Sequence, residues 1–206
     1  MIPFRDVIPS RATPVATVAL ILLHALAFLV VPSEFVWWHP IAPVLLHDGW
    51  IHLICNLWAL WLFGDNVEGR LGHWRFLLLY LVTALAGALI EIWAAPSSGP
   101  PIAGTGAAAA GAIAGVMGGY FLLYPRSRIL VFVPQFFSID LIEVPAVAFA
   151  GIWLATQLFL NLARLGDPAI GGGVTLLSIV GGLVTGLGLV WLFGHRRHDA
   201  RWWDEY

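Results

Sequence analysis

Chemistry in this chain has few places to reside. His47, His52 and Asn56 form the pattern His-x4-His-x3-Asn, and the four-residue step from His52 to Asn56 puts those two on one helical face. Polar side chains inside an apolar segment tend to face a bundle interior and mark function; the alternative is that these bond to loop backbone and fix the preceding segment. Cys55 follows His52 by three residues, so a thiol–imidazole pair can be drawn, against the plainer reading of a small buried apolar residue. Thr105 lies between Gly104 and Gly106 as a nucleophile would. No histidine follows on the last apolar segment to serve as its base, so a helix-capping role is expected instead. His47 and His52 lack a third ligand at helical spacing, which argues against a metal site. Gly104 to Ala109 matches Gly-x-Gly-x-x-Ala, but a proline turn precedes it and no acid lies about 20 residues on, so the dinucleotide reading fails. No cofactor is expected.

The elements that must position these groups are apolar helices. The chain has 206 residues, 60% hydrophobic and 11% charged, with a mean hydropathy of +0.86, outside the range of soluble domains. A soluble fold has no way to hide six uncharged stretches of about membrane-spanning length. A polytopic membrane protein is the reading. The ten basic residues are all arginine and form no long block, so nucleic acid is not an expected partner. The single cysteine excludes an internal disulfide.

Spans are expected at about 14–31, 49–63, 74–95, 104–124, 144–163 and 174–193, in one domain over 1–206. The first could also be read as a signal-peptide core with Ala25-Leu26-Ala27 as its cleavage site, at the cost of the even helix count. Residues 32–48, with Trp37, Trp38, Pro40 and Pro43, read as an interfacial loop. The second span is short and ends at Gly64-Asp65-Asn66-Val67-Glu68. Residues 126–142 are too interrupted to cross and read as surface-lying. The fourth span holds almost nothing larger than Ala before Ile113, and Gly111, Gly115 and Gly119 recur every four residues. Such a bare face lets neighbouring helices approach closely, so this helix belongs in the middle of the bundle. Glu91 and Asn161 fall near outer span ends and read as interfacial, or as lining a cavity.

Nine arginines, at 5, 11, 70, 75, 126, 128, 196, 197 and 201, fall on one side of the six-span arrangement and Arg164 on the other. The positive-inside rule then places both termini in the cytoplasm. Spans two, four and six run inward from outside. At about 1.5 Å per residue, His52 and Asn56 lie some 5 to 10 Å below the outer end, and Ala110 and Ile179 about 9 Å below Gly104 and Gly173. Three helices thus bring their marked positions to one level, open to the outer face.

The ordered set Ile2-Pro3-Phe4-Arg5-Asp6, His47 to Asn56, Gly64-Asp65-Asn66-Val67-Glu68, Gly111 to Gly118, Tyr124-Pro125-Arg126 and Gly181-Gly182 with Gly186 resembles the rhomboid intramembrane serine proteases along nearly the whole chain. The resemblance implies an all-α bundle of six transmembrane helices. In active members a serine at the head of the fourth helix attacks the peptide carbonyl and a histidine on the sixth takes its proton. A histidine and an asparagine on the second help to stabilise the oxyanion. Carried over, those last two match His52 and Asn56, with His47 beside them. The serine falls on Ala110 when aligned from Gly111, or on Gly106 when aligned from Pro101 and Gly104; the histidine falls on Ile179. Neither dyad member is present, while the packing frame of Gly111, Gly115, Gly119, Gly181, Gly182 and Gly186 is kept. The expectation is a pseudoprotease of the cell (plasma or inner) membrane that binds transmembrane segments of client proteins. The alternatives are an active intramembrane serine endopeptidase with a displaced nucleophile, and a small transporter, which would need an intramembrane charged pair or inverted repeat.

Overall fold

Small residues decide where the helices of this chain meet. The computed structural model describes residues 2–8, 13–30, 42–47, 49–94, 107–134, 139–164 and 172–194. In these, helices α1 (Val15–Val30), α2 (Ala42–Leu45), α3 (Trp50–Leu71), α4 (His73–Ala94), α5 (Ala107–Leu123), α6 (Ala146–Arg164) and α7 (Gly172–Gly194) accompany strands β1 (Ile2–Asp6), β2 (Arg128–Pro134) and β3 (Ile139–Pro145).

Helix α5 is the core: every residue from Ala108 to Tyr120 is buried. A Cβ on Gly111 would lie 3.0 Å from the Ser178 carbonyl of α7 and 3.2 Å from the Cα of Gly87 in α4. A Cβ on Gly182 or Gly186 would run into the backbone of Gly111 or Gly115. Glycine therefore faces glycine at two successive crossings of α5 with α7. The other frame glycines also face neighbours: Gly115 meets Thr83, Gly119 meets Val190 and Gly181 meets Ile90. Close backbone approach of this kind drives helix association in lipid. Ser178 Oγ donates to the Gly87 carbonyl at 2.5 Å, which stitches α7 to α4 at the same level.

Large apolar side chains cover the outside. Leu22, Leu26 and Leu29 of α1, Leu81, Leu85 and Leu89 of α4, Ile152 and Phe159 of α6, and Val180 and Val184 of α7 are all exposed, as is Trp74. Helix crossings lined by Ala and Gly inside an apolar exterior fit lipid. By length and composition His73–Ile90 and Leu176–Phe193 are long and apolar enough to cross a membrane, with only 33% and 28% of each stretch buried. The apolar stretches Val15–Val30, Ala108–Leu123 and Ala146–Phe159 are shorter.

Several sequence expectations change. The chain is mostly helical rather than all-α, because residues 2–6, 128–134 and 139–145 form an antiparallel sheet in the order β1-β2-β3. The segment read as surface-lying is thus a hairpin, with Arg128 paired to Pro145 and Pro134 to Ile139. The β1–β2 register shifts between Pro3 and Arg5, where a proline has no N–H to give to the ladder.

The second helix does not stop at Phe63; α3 runs two turns further, to Leu71. The reason is tertiary. The buried Glu68 carboxylate accepts from the backbone N–H of Ala16 (2.8 Å) and Thr17 (2.7 Å) and from Thr17 Oγ1 (2.7 Å), and His73 Nδ1 lies 2.5 Å from Oε1. A carboxylate at the orphan N–H groups of the first turn of α1 satisfies them and complements the helix dipole. Gly72, at φ +83, then turns the chain directly into α4.

The end of the segment read as an interfacial loop is also drawn inward, with Val44, Leu46 and His47 buried. Sequence positions 5, 70, 75, 126 and 128 share one end of the bundle, since β1 pairs with β2, Glu68 binds the start of α1, and Tyr124 OH reaches the Asn66 carbonyl at 3.4 Å.

Candidate functional site

His52 and Asn56 sit one turn apart near the start of α3, and both are buried. His47 precedes the helix and is buried too; its Nδ1 lies 3.2 Å from the Leu45 carbonyl. The rings of His47 and His52 meet edge to face with centroids 5.2 Å apart. His24 of α1 continues the column, again 5.2 Å from His47, and its Nε2 is 2.5 Å from Tyr80 OH of α4. Three imidazoles and a phenol, from α1, the segment before α3, α3 and α4, therefore form one buried polar stack. The stack, with its His24–Tyr80 hydrogen bond, fixes the relative height of the helices that contribute.

Asn56 is held from the other side. Gln157 Nε2 of α6 donates to Asn56 Oδ1 at 3.1 Å, and neither side chain is accessible. Among the described residues no acceptor faces Asn56 Nδ2. A buried amide N–H without an acceptor costs about 1–3 kcal/mol, so this donor is suited to a carbonyl oxygen brought by a ligand.

Ala110 is buried in the first turn of α5, and Ile179 is buried on α7. They lie one residue from the Gly111–Ser178 backbone contact on their respective helices. Gly106, Thr105 and Gly104 lie outside the described residues, as do the side chains of Glu91 and Asn161. Cys55 is half-buried rather than fully buried. Three buried hydroxyls serve packing: Ser178 binds the Gly87 carbonyl, Thr17 binds Glu68, and Thr83 Oγ1 donates to the Leu79 carbonyl at 2.8 Å, with the Tyr80 carbonyl at 3.0 Å.

The structure brings His47 against His52 and places Asn56 one turn further along α3, and it adds His24, Tyr80 and Gln157. The signal for two of these was on the page. His24 and Gln157 are polar residues inside apolar spans, the same criterion that singled out His52.

An apolar exterior, a glycine-packed central helix and a buried polar site define this chain as a helical integral membrane protein. It belongs to the rhomboid family, whose Rhomboid domain model matches residues 34–196. It is 38% identical over 87 residues to Rhomboid protein 1, mitochondrial, of Saccharomyces cerevisiae, covering 42% of this chain and 25% of that protein. It is 41% identical over 88 residues to the rhomboid protease GluP of Bacillus subtilis, covering 43% of this chain and 16% of that one. A putative rhomboid protease of B. subtilis, YdcA, is 43% identical over 51 residues, 25% of this chain and 26% of that one. The matches span about a quarter or less of each of these relatives' length.

Proposed function

We propose that residues 1–206 form one six-span rhomboid-like domain, with both termini cytoplasmic in the cell membrane, that binds transmembrane segments of client proteins without cleaving them. Two apolar side chains, Ala110 and Ile179, occupy the positions of the dyad. Aligned from Pro101 and Gly104 the serine position falls on Gly106 instead, which supplies no hydroxyl either. Without nucleophile and base, oxyanion stabilisation alone leaves only a small residual rate.

The observation that carries the binding half of the reading is Asn56 Nδ2, a buried donor with no acceptor among the described residues. A peptide carbonyl from an unwound client segment supplies that acceptor. A second reading, an active intramembrane serine endopeptidase, is favoured by the names of the relatives, two of which are called rhomboid proteases.

Cleavage of a generic rhomboid transmembrane substrate by the native protein, beside an Ala110→Ser, Ile179→His variant, separates the two. The expected result is a silent native chain and a variant that cleaves. Cleavage by the native chain, or its labelling by a fluorophosphonate, overturns the pseudoprotease reading. Crosslinking in membranes that captures no client counts against the binding role.

A further inference from the structure

The histidine column can hold little charge. His47 is its middle ring, with His24 of α1 on one side and His52 of α3 on the other, each with its centroid 5.2 Å away, and all three residues are buried. Imidazole ordinarily titrates near pH ~6.5, inside the physiological range. Two unit charges at the ring spacing, in an effective dielectric constant of about 20, repel strongly. A doubly charged pair of neighbours is then roughly two-hundredfold rarer than two independent rings would give. His24 adds a second constraint. Its Nδ1 has no acceptor among the described residues, so a charged ring, which donates from both nitrogens, leaves one N–H unpaired.

The groups around the column do not offset that repulsion. His24 is the one titratable side chain of α1, and α2 has none. On α3 the half-buried Cys55 follows His52, and Asp65 and Glu68 lie about 20 Å or more further along the helix. On α4 the Tyr80 hydroxyl meets His24; Arg75 and His73 lie about 8 and 10 Å along the axis toward the sheet, and Glu91 about 16 Å the other way. Helix α5, against which α2 packs, has no titratable side chain before Tyr120.

One member of the column is attached more lightly than the others. His24 and His52 belong to the long helices α1 and α3. His47 follows the four-residue α2, and the segment is held down with it by the buried side chains of Val44 and Leu46.

We propose that the His24–His47–His52 column is a proton-operated latch, which holds residues 42–47 in the bundle at neutral pH and releases them on acidification. Latched, the column carries no more than one charge; once His47 has left, the separated rings take up a further proton. The released state binds more protons than the latched one, so release is favoured as pH falls, and the latch holds above about pH 6.5. As it leaves, His47 draws Val44 and Leu46 away from the helices α2 packs on, α1, α4 and α5. That uncovers the end of the bundle opposite the sheet, at the level of His52. The latch operates whether or not a client binds there.

Hydrogen exchange read by mass spectrometry, on the full chain in nanodiscs, tests this, with each rate corrected for the intrinsic pH dependence of amide exchange. For a one-proton release, the corrected exchange of the 42–47 amides rises about tenfold per pH unit below about pH 6.5. The amides of the buried stretch Ala108 to Tyr120 should stay as protected as at neutral pH. No rise in 42–47, or an equal rise in both stretches, overturns the latch. His47→Phe keeps an aromatic ring between His24 and His52 and removes the titration, so its 42–47 exchange should not change with pH. A full pH response in folded His47→Phe also overturns the proposal. If that variant does not fold, His47→Gln, neutral and polar, is read for the same flat response whatever its level of exchange.

Discussion

Replacing Gly182 by alanine tests whether backbone contact between α5 and α7 holds the bundle together. The new Cβ would fall 2.6 Å from the carbonyl carbon and 2.8 Å from the Cα of Gly111, and closer still to its oxygen. Carbon atoms pack at about 3.5–4.0 Å, so the two helices must part by about 1 Å at this crossing. A gap of that order forfeits a quarter to a half of the dispersion energy of the atoms lining it. The neighbouring Ser178–Gly87 hydrogen bond, one turn away, is strained by the same movement. Overpacking of a tight interior costs about 1–3 kcal/mol, and a backbone atom cannot rotate aside, which places Gly182→Ala at or above the upper end. Gly188 on the same helix has nothing within 4 Å of its would-be Cβ. Gly188→Ala is thus the matched control, with the same change in side chain and helix propensity and no clash. Equilibrium unfolding in mixed detergent and SDS micelles reads both. A loss of about 3 kcal/mol for Gly182→Ala, over a hundredfold in the folding constant at 1.4 kcal/mol per decade, is expected beside no loss for Gly188→Ala. Equal stability of the two variants would refute the glycine-contact argument.

Other expectations follow from contacts already described. Glu68→Gln places an amide donor against three donors from Ala16 and Thr17, and a loss of about 2–3 kcal/mol with fraying of the start of α1 should appear in unfolding titrations and amide exchange. Tyr80→Phe removes the partner of His24 Nε2 and should cost about 1–3 kcal/mol; an unchanged midpoint would mean that the stack is incidental. Gly72→Ala forces a side chain into φ +83 and should lower stability by about 1–2 kcal/mol in the same unfolding titration, whereas Gly49→Ala, with open space around it, should not.

How much was legible in the sequence depended on whether a signal was local. The burial of α5 could be read from Gly111, Gly115 and Gly119, because a bare helical face carries its own explanation. The shared face of His52 and Asn56 followed from a four-residue step. The end of α3 was misread because Asp65 to Glu68 look like a turn when considered alone; what keeps them helical is the start of α1, about fifty positions earlier. The sheet was missed for the same reason. Ile129 to Val133 is a short apolar run of ambiguous period, and its partner strand is Ile2 to Asp6, far earlier in the sequence. Gln157 carried a usable cue, a lone amide within an apolar span, but nothing in the sequence says that Asn56 is what it meets.

The position of β1 in the sheet has a temporal consequence. Ile2 pairs with Phe132, so β1, made before its partner, finds it only after α1 to α5 have been made. Until then its backbone groups have no ladder, and β3, which continues into α6, has no platform to join. The sheet therefore closes as a late step, once the helices between its first two strands are in place. Until then β2 presents an open edge where Ile2 to Asp6 will pair, and exposure of that edge distinguishes an unfinished chain from the finished fold.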